Sequence, residues 1–197
     1  MVISPVFVLV FSALILREKI PSKRIVGVFS ALAGAFVLIK YAGRNVHVQT
    51  SVAGDICILF NAISFSIFLV MAKPLMKKYS PYTLMKYVFF FGTFMVFPFS
   101  FKELQQIDLT TFTPQIWWAT AFVVIGTTFF AYLFNTLALQ QLSPGVVSVY
   151  IYLQPVLAAG IAILLGKDSL SLVHIISAVF IFMGVYFSTH TTVKAGQ

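Results

Sequence analysis

Ser148-Val149-Tyr150-Ile151-Tyr152-Leu153-Gln154-Pro155-Val156-Leu157 opens a stretch, closing at Thr189, that the chain writes twice. From Pro155 an apolar run reaches Gly166-Lys167-Asp168, and a second apolar run carries Gly184. At a constant offset of 150 residues, without a gap, Pro5-Val6-Phe7 leads to Leu16-Arg17-Glu18 and on to Gly34. Leu14 falls on Leu164, Ile25 on Ile175, and the basic-acidic pair Arg17-Glu18 on Lys167-Asp168. Apolar segments resemble one another in composition. A proline and an acid with twelve residues between them, and a basic residue before the acid both times, is a pattern composition does not supply. The chain therefore reads as carrying an internal structural repeat between membrane segments.

Composition places the chain in a bilayer. Apolar residues make up 60% of it and charged residues 9%, with a mean hydropathy of +0.99. Soluble domains carry about 25% charge, so this chain could not clothe a globular surface. The net charge of +8 would suggest nucleic acid in a soluble protein. Here the lysines and arginines sit in short clusters between apolar runs, which is how orientation in a bilayer is set. No nucleic-acid partner is expected. Cys57 stands alone, which excludes an intramolecular disulfide and a cysteine metal site. Nothing calls for a cofactor, and no polar loop gathers the His, Asp and Glu an enzyme would need. Met1 leads straight into an apolar run without a basic lead or a small-residue cleavage site, unlike a secretory signal.

The hydropathy pattern predicts an all-α, polytopic transmembrane helix bundle of about seven spans. These are Met1–Leu16, Ile25–Tyr41, Asp55–Ala72, Tyr82–Phe101, Gln115–Leu142, Val146–Leu165 and Leu172–Ser188. In lipid they must be helices, since an unpaired backbone amide costs several kcal/mol there. Asp55 is placed to cap the third span, and Lys73-Pro74 to Pro81 should break the chain before the fourth. The organisation expected is 1–44 as the last two helices of a first repeat, 45–54 as a linker, 55–190 as a complete five-helix second repeat and 191–197 as a tail. The first span, about 24 Å of helix against a hydrocarbon core of about 30 Å, is short. The expectation is an incomplete first repeat, with the chain forming the C-terminal part of a ten-helix protein.

Counting Lys and Arg on alternate sides gives nine on the side of Arg17 and Lys78 and four on the side of Lys40 and Lys167. The positive-inside rule then puts the C-terminus in the cytoplasm. The loop at Arg17-Glu18 falls inside and its copy at Lys167-Asp168 outside, so the two copies have opposite orientation. That is an inverted-topology repeat, the architecture of secondary transporters whose substrate site lies between the repeats near the midplane.

The residues Pro5, Glu18, Gly27 and Gly34, with Pro155, Asp168 and Gly184, resemble the EamA domain of the drug/metabolite transporter superfamily. Tyr132, Ala138-Leu139, Ser143-Pro144 and Gln154-Pro155 add to the resemblance. It covers nearly the whole chain and corresponds to the last seven helices of ten. What it implies is export or exchange of small metabolites or drugs around a central cavity of a plasma (inner) membrane protein.

The candidate site residues are uncharged. Thr128, Tyr132 and Asn135 step by four and three along the fifth span and share one face. Tyr150 and Gln154 step by four just before Pro155, which frees a carbonyl near Ile151 and marks a kink, as Pro5 does in the first copy. Asn61 and Ser64 line a face of the third span. These groups either line a substrate cavity or hydrogen-bond neighbouring helices, at about 0.6 kcal/mol each. Glu18 and Asp168 read either as gating residues or as loop acids that offset nearby lysines. Gly27, Ala31 and Gly34, and likewise Gly184, suit close helix packing; a hinge or a homodimer contact is the other reading. The runs Phe89–Phe91 and Phe129-Phe130 are read as mostly lipid-facing. Tyr79, Tyr82, Tyr87 and Trp117-Trp118 read as interfacial anchors.

Overall fold

The computed structural model describes residues 2–42, 51–108 and 111–190. Every regular element among them is helical: α1 (Ser4–Ile15), α2 (Ser22–Ala42), α3 (Val52–Leu75), α4 (Pro81–Gln106), α5 (Pro114–Ala121), α6 (Ala131–Gln141), α7 (Pro144–Val149), α8 (Leu153–Leu164) and α9 (Leu172–Thr189). A π-helical segment, Phe122–Phe130, joins α5 to α6, and a 3-10 turn, Tyr150–Tyr152, joins α7 to α8. Six segments are long and apolar enough to cross a membrane: Ser22–Tyr41, Val52–Leu75, Pro81–Gln106, Pro114–Gln141, Pro144–Leu164 and Leu172–Thr189. The first helix is shorter than the expected span, beginning at Ser4 with Pro5 in its first turn, where the missing N–H is no loss.

Other helix ends also move. The third helix starts at Val52, so Asp55 lies in its first turn instead of capping it. A carboxylate there still faces the positive end of the helix dipole. Pro74 falls inside the last turn of α3, which continues to Leu75. The fourth helix runs to Gln106, past the expected stop at Phe101. Most of the expected linker 45–54 and all of the tail 191–197 lie outside the described residues.

Two compact units can be distinguished: residues 1–71 with 142–197, and residues 72–141. The first holds the tightest packing, where α2 crosses α9. A Cβ added at Gly27 would stand 2.6 Å from the Gly184 carbonyl, and one at Gly34 would stand 2.8 Å from the Ser177 carbonyl. The first of these contacts joins the N-terminal half of α2 to the C-terminal half of α9, the second the C-terminal half of α2 to the N-terminal half of α9, so the helices run antiparallel. Ser30 Oγ spans them at the crossing, donating to the Phe180 carbonyl at 3.2 Å. Val28, Ala31, Ala35 and Ile181 complete a core that also takes Leu9, Val149 and Tyr152. In lipid, where apolar burial gives helices little reason to associate, such small residues allow the close approach that does. Elsewhere in this unit the buried Ser66 hydroxyl donates to the Ser4 carbonyl at 3.0 Å, tying α3 to α1.

Within the second unit, Lys73 Nζ donates to the carbonyls of Leu139 at 2.7 Å and Gln140 at 3.4 Å. These are terminal carbonyls of α6, with no partner inside their own helix. Phe89 packs its ring on Phe129 (6.2 Å) and edge-on against Tyr132 (5.9 Å), so it belongs to the packing of α4 on α6. Phe90 and Phe91 are exposed, as expected.

Candidate functional site

The five uncharged candidates fall on four elements. On α6, Tyr132 is half-buried and carries the ring contact with Phe89, and Asn135 is half-buried one turn on. Thr128 stands in the π-helical segment, where its hydroxyl donates to the Val123 carbonyl five residues back, at 3.0 Å. A π-helical ladder leaves backbone spacing wider than in an α-helix, and such segments gather at functional positions. Nothing in Phe122–Phe130 announces it, and the sequence reading missed it.

In the other unit, Tyr150 opens the 3-10 turn and is 46% exposed, with Gln154 exposed one turn on and Pro155 following. The tightened turn lies directly ahead of the proline, where the helix lacks an amide to donate. Asn61 is exposed on α3. Tyr132 and Asn135 thus share α6, Tyr150 and Gln154 lie one turn apart where the 3-10 turn passes into α8, and Asn61 lies on α3. Among the described residues, no group of three or more His, Cys, Asp or Glu side chains could hold a metal ion.

A cleft of about 310 Å³ opens between α2, α8 and α9. Its walls are apolar, with Leu38, Val156, Gly160, Ile163 and Ala178 among them, and His174 is the polar side chain that reaches it. None of the five candidates lines it. His174 is 8% exposed. Its Nδ1 accepts from the Ser171 N–H at 3.2 Å and lies 2.8 Å from the Ser171 hydroxyl. Its Nε2 makes no hydrogen bond and stands 3.5 Å from Asp168 Oδ2.

Asp168 follows the turn that ends α8. Gly166 takes a φ of +67°, the Gly166 N–H returns to the Ile163 carbonyl and the Lys167 N–H to the Ala162 carbonyl. This is a Schellman closure, which needs a left-handed residue after the helix. The first copy ends α1 with a left-handed residue too, Arg17 at φ +52°. There the loop acid is Glu18, and the nearby base is Arg24, 4% exposed with its Nε unpaired and within the electrostatic reach of Glu18. The α7 end closes over that site: a Cβ added at Gly145 would meet Arg24 Cδ and Leu9 at 3.4 Å. Sequence reasoning noted both acids but missed both bases. The signal was present, since Glu18 and Arg24 lie 150 residues before Asp168 and His174.

Residues 52–189 match the profile of the EamA-like transporter family. An uncharacterized transporter of Archaeoglobus fulgidus is 25% identical over 186 residues, which is 93% of this chain and 63% of that protein. The uncharacterized transporter YetK of Bacillus subtilis is 24% identical over 195 residues, 98% of this chain and 58% of its own length. The chain thus spans about 60% of the length of these relatives. No solved structure matches it.

Proposed function

The chain belongs to the EamA-like transporter family, and from that premise we propose that it is a carrier exporting or exchanging small metabolites or drugs by alternating access. It is a multi-pass membrane protein of a transporter family, not an enzyme. The observation that carries the finer reading is the reciprocal packing of α2 on α9. Gly27 meets Gly184, which stands 150 residues after Gly34, while Gly34 meets Ser177, which stands 150 after Gly27. At the crossing Ser30 meets Phe180, its own equivalent. An exchange of partners of this kind is what a two-fold axis between two copies produces. It supports an inverted repeat with its solute site near the midplane.

In this reading Asn61, Tyr132, Asn135, Tyr150 and Gln154 recognise the solute, and Pro155 with the 3-10 turn before it exposes backbone beside Gln154. With no charged side chain among them, the solute is neutral or amphipathic. The chain sits in the plasma (inner) membrane with its C-terminus in the cytoplasm, the orientation the lysine and arginine count supports. The test is the purified protein in liposomes preloaded with a mixed metabolite extract, solute loss being followed by mass spectrometry against protein-free liposomes. The expected outcome is selective loss of one solute class, abolished in Asn135→Ala and Gln154→Ala with the folded yield unchanged. Normal transport in both variants would assign these side chains to helix–helix hydrogen bonding instead. No solute loss at all would favour a non-transporting membrane subunit.

A further inference from the structure

We propose that His174 and Asp168 form a proton-binding site in which uptake of a proton by the imidazole draws the loop after α8 onto the first turn of α9, and release of the proton frees it. Three observations carry this. The imidazole is buried, yet its Nε2 has no hydrogen bond and faces a carboxylate 3.5 Å away, slightly too far for one. Its Nδ1 is held as an acceptor by the Ser171 N–H, which puts the proton of the neutral ring on Nε2. Finally, the same two positions in the other repeat hold Glu18 and Arg24.

The comparison of the two ends defines the device. At one end of the α2–α9 pair the base is an arginine, charged at every physiological pH, and α7 covers it. At the other end the base is a histidine, the side chain whose charge ordinarily changes between about pH 5 and 8, and it borders an open cleft. One acid–base pair is permanent and its copy is conditional. When His174 takes up a proton, Nδ1 turns from acceptor to donor. The Ser171 hydroxyl must then rotate to accept from it, and the Ser171 N–H gives up its partner. In exchange the Nε2–H gains a charge-assisted bond to Asp168. Both changes act on the segment between Leu165 and Ser171, one at Asp168 in its middle and one at Ser171 at its end.

Few other charges compete. From α2 and α8 the side chains that line the cleft beside His174 are Leu38, Val156, Ala159, Gly160 and Ile163, none of which titrates. In the loop itself Lys167 neighbours Asp168 and is exposed. Further along α2, Lys40 lies over the rings of Phe36 and Tyr41. That the latch serves as a gate rests on the carrier reading above; its closing on protonation does not.

The test uses a nitroxide at Ser169, exposed and next to Asp168, in the full chain with Cys57→Ala, reconstituted in lipid. Spin-label mobility is read at about pH 8 and about pH 5.5, either side of the histidine range. A several-fold slowing at the lower pH is expected, absent in His174→Gln and in Asp168→Asn. His174→Arg, which copies the other repeat, should be slow at both. A label at Lys19, the equivalent position 150 residues earlier, should not respond. Equal mobility at the two pH values in the parent, or a response that survives both His174→Gln and Asp168→Asn, overturns the proposal. A latch that closes in a chain moving no solute sustains the proposal and removes the carrier reading. Transport with an unresponsive loop does the reverse.

Discussion

At Gly184 a single hydrogen atom decides the packing of the whole first unit. A methyl group there would stand 2.5 Å from the Gly27 carbonyl and 2.6 Å from Ala31, all of it backbone or short side chain that cannot swing away. Gly184→Ala should therefore destabilise by about 1–3 kcal/mol, the usual range for an overpacked core. Thermal unfolding in detergent measures it, and Gly160→Ala, which meets nothing within 4 Å, is the neutral control. Gly34 and Gly184 were legible in the sequence because a repeat preserves position, and both read as helix-packing residues. His174 was legible as a partner of Asp168 only through the 150-residue offset from Glu18 and Arg24, not from its local pattern. They lie six positions apart across the loop that leads into α9, and no helical or strand period spans such a loop.

Element existence followed from hydropathy, but element ends did not. Proline position explains part of the difference. Pro5, Pro81, Pro114 and Pro144 all sit in first turns, where a proline starts a helix. Pro74 and Pro98 lie inside helices that do not stop for them; in a membrane, neighbouring groups can satisfy what proline frees. The end of α6 depends on a residue outside it, since Lys73 takes the carbonyls of Leu139 and Gln140. No local signal in α6 could show that. Lys73→Ala leaves those carbonyls without the ammonium and should cost about 1.5–3 kcal/mol, the range for a hydrogen bond to a charged group. Lys73→Arg should restore most of it. Faster amide exchange at the end of α6 in the alanine variant alone is the measurement.

For the whole molecule, the charge pattern decides orientation. Cysteines placed at Lys78 and Lys102, in the Cys57→Ala chain, test it with a membrane-impermeant maleimide added to intact cells. Both positions are exposed. Labelling is expected at 102 and not at 78; the opposite pattern would reverse the assignment. Organisation at this scale was legible only as far as the repeat carried it. The apolar cleft between α2, α8 and α9 had no sequence signature, because its walls are the same Leu, Ile, Val and Ala that fill the core.

The crossing of α2 and α9 has a thermodynamic corollary. A contact that reads the same from either end contributes equally to any two states that interchange those ends, so it cancels from their free-energy difference. It can make both states firm without favouring one. A bias between them must come from positions where the copies differ, such as Gly27 against Ser177, Leu38 against Ser188 and Arg24 against His174. The first two differences are constant. The third is where the proposed proton site sits, and through it the ratio of the two populations would shift only as far as a proton binds one of them better than the other.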